Sequence, residues 1–298
     1  MQDLLILDGG LATELELRGH DLNHPLWSAR LMLDDPDAIK AVHRSYLEAG
    51  ADFIITASYQ LSYAGCAALG IGENRTTELL LDTVRIAKES IREFCSSRSV
   101  SVAPKVLASI GPYGAFLADG SEYVGQYGLS EEELLDFHKQ RFDVLASSDA
   151  DLLVFETIPS FAETRVLLKL LKTFPKRRAW FSFSCRDENQ INDGTEISLC
   201  ASLLASEDQV DAIGVNCTAP QFVDGLIKQI RRVAPEKAVL AYPNSGETYD
   251  ANSGSWHGNG RSAHDLATVW YASGARIIGG CCRTTPAHIE QLRKVRGS

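Results

Sequence analysis

The chain has no apolar stretch near the roughly 20 residues that a helix needs to cross a bilayer, and no charged-then-apolar leader opens it. The expectation is a cytoplasmic protein without a membrane partner. Positive charge is scarce: 29 Lys and Arg stand against 39 Asp and Glu, a formal charge of -10, so nucleic acid is repelled rather than attracted. Basic clusters such as Lys176-Arg177-Arg178 and Arg231-Arg232 are too short to reverse this and read as solvated helix ends. Solenoid-length repeats, low-complexity tracts and linkers are missing, which leaves one domain over residues 1–298. Seven cysteines, an odd count without a leader, argue against a disulfide framework and for a reducing compartment. Histidine-rich metal motifs of the His-Glu-x-x-His kind are absent too.

What is present is a regular alternation. Short apolar runs of strand character lie at Leu4 to Leu7, Phe53 to Thr56, Val106 to Ile110, Leu152 to Phe155, Ala179 to Phe183, Ala212 to Val215, Ala238 to Ala241 and Arg276 to Ile278. Between and after them, helical spacing of apolar residues covers Asp37 to Ala49, Thr76 to Phe94, Glu131 to Ser147, Phe161 to Phe174, Glu196 to Ala205, Gln221 to Val233, Ala263 to Ala272 and Ala287 to Val295. Apolar strands of this kind suit a parallel sheet covered on both faces. Eight such units within 298 residues predict an α/β protein with a single (β/α)8 TIM barrel; a doubly wound open sheet is the alternative. Capping signals agree, with Ser130 and Glu133 spaced as a capping box, Thr285-Pro286 at a helix start, and Gly50 and Gly274 at helix ends. The Gly- and Asn-rich stretch 244–260 reads as a long loop after the seventh strand, and His257 and His264, in or beside it, read as solvent-facing rather than metal-binding.

Chemistry in a barrel gathers at the C-terminal ends of the strands. The eight exits are accordingly polar: Asp8-Gly9-Gly10, Thr56-Ala57-Ser58-Tyr59-Gln60, Gly111-Pro112-Tyr113-Gly114, Glu156-Thr157-Ile158-Pro159, Ser184-Cys185, Asn216-Cys217-Thr218, Tyr242-Pro243-Asn244-Ser245-Gly246 and Gly279-Gly280-Cys281-Cys282. Thr56, Ser58, Ser184 and Ser245 are read as ordinary turn formers. Asp8 and Glu156 are different, because carboxylates partly desolvated at a barrel mouth need a cationic partner, and a substrate ammonium would supply it. A lone cysteine packs as a small hydrophobe, which is the reading for Cys66, Cys95, Cys185 and Cys200. Cys217, Cys281 and Cys282 instead converge from two strand ends. Neighbouring cysteines rarely bridge each other, whereas Zn²⁺ takes thiolates and, with three protein ligands, keeps a fourth position open.

These motifs, together with Ala12-Thr13-Glu14-Leu15, Leu26-Trp27-Ser28-Ala29, Gly120-Ser121-Glu122-Tyr123 and Gly279-Gly280-Cys281-Cys282-Arg283-Thr284-Thr285-Pro286, resemble the homocysteine S-methyltransferase family over nearly the full length, in its S-methylmethionine-using type. Gly9-Gly10 stands where many relatives have glycine followed by alanine. The resemblance implies a zinc enzyme in which Cys217, Cys281 and Cys282 hold the metal, the homocysteine sulfur becomes the fourth ligand, and a methyl group passes from a sulfonium donor to give methionine. On that basis Asp8 and Glu156 are expected to grip the homocysteine ammonium, the amides around Gly9 and Gly10 to approach its carboxylate, Asn216 to bond substrate or a ligating sulfur, and Tyr59 to face the donor sulfonium by cation-π attraction. Donors ranked by resemblance are S-methylmethionine, then S-adenosylmethionine, then glycine betaine. Eight barrel units leave no room for cobalamin- or folate-binding domains. A zinc hydrolase on the same barrel is the competing reading, and a metal-binding protein without activity would leave the polar exits unexplained. The expected partners are small-molecule substrates; oligomeric state is not legible in the sequence.

Overall fold

A computed structural model describes residues 1, 3–98, 100–246, 248–250, 255–257 and 263–297, with backbone alone for 248–250, 255–257 and 263–264. The strands are β1 (Leu5–Ile6), β2 (Phe53–Ile55), β3 (Lys105–Ile110), β4 (Leu152–Ile158), β5 (Ala179–Phe183), β6 (Val210–Asn216), β7 (Ala238–Tyr242), β8 (Thr248–Asp250), β9 (Ser255–His257) and β10 (Ala275–Ile278). All but β8 and β9 join one parallel sheet in the order β1-β10-β7-β6-β5-β4-β3-β2. Its two ends meet: Leu7 bridges Phe53 in parallel, the Asp8 amide donates to the Phe53 carbonyl at 3.1 Å, and the Asp52 amide donates to the Ile6 carbonyl at 2.7 Å. The sheet is a closed (β/α)8 barrel, as the alternation predicts.

Period-two alternation sends neighbouring side chains to opposite faces, and each face has its own core. Leu7, Phe53, Leu107, Val154, Trp180, Ala212, Leu240, Tyr242 and Ile277 fill the barrel interior. Phe53 and Trp180 meet edge to face there, ring centres 4.8 Å apart. Ile6, Ile54, Val106, Leu153, Phe155, Phe181, Ile213 and Val239 point outward to the helices. At Gly214 a Cβ would overlap the Leu240 carbonyl, so the β6–β7 approach admits no side chain.

The helices are α1 (Leu11–Leu17), α2 (Leu31–Asp34), α3 (Pro36–Ala49), α4 (Tyr63–Ala68), α5 (Glu73–Ser97), α6 (Tyr113–Leu117), α7 (Glu131–Ser147), α8 (Phe161–Lys172), α9 (Ile197–Ala205), α10 (Pro220–Val233), α11 (Ala263–Ser273) and α12 (Pro286–Gly297). Ser130 and Glu133 close the capping box at α7, and Gly50, at φ 105°, ends α3. Helices α1, α2, α4 and α6, with the 3₁₀ turns Trp27–Arg30 and Ser121–Tyr123, occupy loops in which the sequence shows no periodicity. The expected long loop is corrected in part, since β8 and β9 pair within it as an antiparallel hairpin. Glu247 and residues 251–254 and 258–260 of that stretch, and the side chains of His257 and His264, lie outside the described residues. No helix among the described residues is long and apolar enough to cross a membrane.

Candidate functional site

Two carboxylates stand inside the barrel mouth. Asp8, just past β1, is buried and accepts the Ile55 amide through Oδ2 at 2.8 Å. Glu156, inside β4, is buried as well; it accepts the Ser109 hydroxyl on Oε1 and the Tyr242 hydroxyl on Oε2, the latter at 3.2 Å. Burial lifts the Asp8 pKa well above the carboxylate range, and the Glu156 charge adds to it. Burial also raises Glu156 to about 7, against the pull of its two hydroxyl donors. Among the described residues neither group pairs with a cation, and burial favours the protonated form of both until a cation arrives.

The thiol cluster lies at the same end. Cys217 follows β6, and Cys281 and Cys282 follow β10; their sulfur atoms all lie within 4.8 Å of one another. The segment carrying Cys281 and Cys282 is fixed to neighbouring exits. The Gly280 amide donates to Asp8 O at 3.0 Å, the Cys281 amide to Pro243 O at 2.9 Å, and the Ser245 amide to Cys282 O at 3.1 Å. Cys217 and Cys281 are joined here as a disulfide with Cα atoms 5.7 Å apart, while Cys66, Cys95, Cys185, Cys200 and Cys282 are free. The sequence argues against a disulfide framework, and the single bridge here joins two of the candidate ligands, which shows how closely they approach. Burial raises the Cys282 thiol to about 11, and the nearby charge of Glu122 reinforces it. Ionised sulfur at this spot requires a cation.

Asn216 is committed to the backbone around Glu156. Its Oδ1 accepts the Thr157 amide at 2.8 Å and the Ser182 hydroxyl at 2.7 Å; its Nδ2 donates to Thr157 Oγ1 at 2.7 Å and lies 3.9 Å from Cys281 Sγ. Thr157 has φ 60° and Cys217 φ 46°, left-handed values that a β-branched residue in particular resists. The Asn216 clamp holds Thr157 in that conformation, and its Nδ2 contact with Cys281 Sγ is a sulfur partner of the kind that the sequence reading allows. The backbone of Gly10 is engaged as well. The Gly10 amide donates to the carbonyl and hydroxyl of Thr284, each at 3.1 Å, and so is not open to a ligand. A Cβ at Gly10 would come within 2.6 Å of the Cys281 carbonyl, and one at Gly9 within 2.9 Å of the Tyr46 ring, so bare backbone is what lets the β1 exit touch the cysteine segment.

Tyr59, on the β2 exit, reaches the rim beside Glu156: its hydroxyl hydrogen-bonds Thr157, its ring meets Trp27 edge on at 6.3 Å, and burial raises its pKa. Gly111 lies so close that a Cβ there would fall 2.8 Å from the Tyr59 ring. Behind this contact is a buried network that sequence reasoning missed. Arg141 donates to Gly111 O at 2.8 Å and Leu61 O at 3.2 Å and contacts His138 Nδ1 at 2.8 Å; Glu163 meets His138 Nε2 at 2.7 Å and accepts the Tyr113 amide at 2.6 Å. It ties the β2 and β3 exits to α7 and α8. His138 and Arg141 sit three residues apart on a helix that otherwise reads as ordinary, and only their joint burial marks them. Thr56, Ser58 and Ser184 serve turns: Thr56 and Ser58 share a 2.7 Å hydrogen bond, and Ser184 donates to Glu122 O at 3.1 Å.

A closed barrel with three sulfurs and two buried acids at its C-terminal mouth has the layout of an enzyme of the barrel class with a thiol-rich centre. The chain matches the homocysteine S-methyltransferase family profile over residues 5–296. It is 46% identical to homocysteine S-methyltransferase YbgG of Bacillus subtilis (strain 168), across 97% of this chain and 93% of that protein. Identity to the homocysteine S-methyltransferase of Escherichia coli (strain K12) is 44%, across 98% of this chain and 95% of that one. The crystal structure of the metallated form of the E. coli homocysteine methyltransferase MmuM superposes with a TM-score of 0.90 at 41% identity, covering 99% of this chain and 96% of that chain. The oxidized form of MmuM superposes with the same TM-score of 0.90. The chain belongs to the homocysteine S-methyltransferase family and is a methyltransferase.

Proposed function

We propose that this protein transfers a methyl group from a sulfonium donor, first of all S-methylmethionine, to the thiol of L-homocysteine, with zinc held by Cys217, Cys281 and Cys282. The observation that carries this reading is the three-sulfur cluster, within 4.8 Å, at the same mouth as two buried carboxylates that pair with no cation among the described residues. The donor set is sulfur alone, which suits zinc and disfavours magnesium or calcium. Holding the ion requires the Cys217–Cys281 pair reduced, since a disulfide sulfur is not a thiolate ligand. When bound, zinc supplies the charge that keeps the homocysteine sulfur ionised at neutral pH.

The chain's own residues do the rest. Asp8 and Glu156 give up their protons to receive the homocysteine ammonium, which replaces the missing cation between them. The main-chain amide of Gly9, on the same exit as Asp8, would approach the carboxylate of the substrate. Tyr59, pinned through Thr157 and Gly111, offers a ring face to the sulfonium, an attraction of about 0.5–2 kcal/mol. In the transfer, homocysteine sulfur forms a bond to the methyl carbon as the bond from that carbon to the sulfonium sulfur breaks. The breaking pair stays on the donor sulfur, which departs as a neutral thioether, and the thiol proton passes to solvent. In-line placement of the two sulfurs by rigid strand ends can contribute roughly 7–11 kcal/mol to lowering the barrier.

The test is a side-by-side assay of reduced, zinc-loaded protein with homocysteine and each of S-methylmethionine, S-adenosylmethionine and glycine betaine. Methionine formation fastest with S-methylmethionine is expected. No methionine from either sulfonium, or cleavage of ester or amide substrates instead, would overturn the reading.

A further inference from the structure

A third carboxylate at the mouth has no part in the account so far. Glu122 lies in the 3₁₀ turn Ser121–Tyr123, carried by the excursion that follows β3 and α6. Among the described residues its Oε2 is shielded from solvent and finds no hydrogen-bond partner, and no basic side chain pairs with it. The backbone beneath it is fixed: Glu122 O accepts the Ser184 hydroxyl at 3.1 Å, and a Cβ on Gly114 would fall 2.5 Å from Glu122 N. The adjoining Tyr123 hydrogen-bonds the Cys282 thiol, and Ser184 also donates to the carbonyl of Thr157, the residue that Tyr59 hydrogen-bonds, at 3.3 Å. The turn that carries the carboxylate therefore lies beside both the sulfur cluster and the rim tyrosine, on a different loop from Asp8 and Glu156.

A buried acceptor without a donor costs stability unless a ligand completes it. Asp8 and Glu156 already provide for one ammonium. A sulfonium centre has no N–H and cannot satisfy Oε2, whereas a second ammonium brings three donors. We propose that Glu122 is the specificity residue that receives the α-ammonium of an amino-acid sulfonium donor. The assignment rests on the methyl-transfer reading above and adds to it the residue that recognises the amino group of the donor.

The experiment compares the parent, Glu122→Gln and Glu122→Asp, all reduced and zinc-loaded. It uses S-methylmethionine and, as a sulfonium without an ammonium, dimethylsulfonioacetate, read as donor or as competitive inhibitor. Loss of a charge-assisted hydrogen bond should raise the S-methylmethionine KM of Glu122→Gln by roughly tenfold or more. The homocysteine KM, the metal content and the dimethylsulfonioacetate constant should stay at parent values, and Glu122→Asp should recover part of the loss. An unchanged S-methylmethionine KM, equal loss for both sulfonium compounds, or a rise in the homocysteine KM instead would overturn the assignment while leaving methyl transfer intact. A parent protein that transfers no methyl from S-methylmethionine would end both.

Discussion

At the residue scale, the site follows from burial acting on a few ionisable groups. Glu156 has a folded pKa of about 7 against an ordinary 4.5. Between those values the folded protein holds a proton that the unfolded chain has released. The contribution of this group to stability is thus fully present below pH 4.5 and is lost as pH rises to about 7. Glu156→Gln should flatten the fall in Tm between pH 5 and pH 7, and a melting series across that range checks it; an identical fall in both proteins would contradict the assignment. Binding of homocysteine should release a proton from Glu156 below pH 7, so fewer protons should be released, and affinity should rise less steeply with pH toward about 7, in the variant than in the parent, as calorimetry in two buffers would report. Cys217, Cys281 and Cys282 were legible in the sequence because vicinal cysteines after a glycine pair at a strand end are a specific pattern. Asn216 was legible as a site residue but not as a clamp, because its partners Thr157 and Ser182 lie on other strands. Glu122 was visible only as part of a motif: its orphaned oxygen depends on how the β3 excursion folds back.

At the element scale, exit loops are positioned by side chains from the helices outside the barrel. Arg141 is buried in α7 and its pKa is lowered by desolvation to about 10, which still leaves it charged at neutral pH, with Glu163 on α8 as its counter-charge. Arg141→Met should destabilise the fold by about 3–5 kcal/mol, since it strands the Glu163 carboxylate without its counter-charge and frees two loop carbonyls. Urea unfolding measures this, and a change under 1 kcal/mol would mean that the network is dispensable. The eight long helices and eight strands could be read from periodicity, with bounds shifted by a few residues. Short helices such as α4 and α6 could not, because five or six residues are too few to display a 3.6-residue period. The His138–Arg141–Glu163 network was hidden for a related reason: helix spacing reports which face is inward, not which polar pairs meet there.

At the scale of the whole molecule, the barrel does not depend on its reactive centre. The interior and outer cores are continuous apolar layers that do not include Cys217 or Cys282. Alanine at Cys217, Cys281 or Cys282 should therefore remove metal and activity while far-UV circular dichroism and a cooperative melt persist. Cys66→Ala, in a fully buried packing position, should lower Tm modestly through a small cavity and leave methyl transfer at the parent rate. The closed sheet was legible because strict alternation of eight strands and helices has few other solutions. The Cys217–Cys281 disulfide was not, because pairing depends on how near two strand ends come in space.

The most direct measurement is zinc X-ray absorption on the reduced, zinc-loaded protein before and after homocysteine. The account predicts three sulfur neighbours at about 2.3 Å that become four when homocysteine is added. An unchanged sulfur count, or a shell dominated by nitrogen and oxygen, would contradict it.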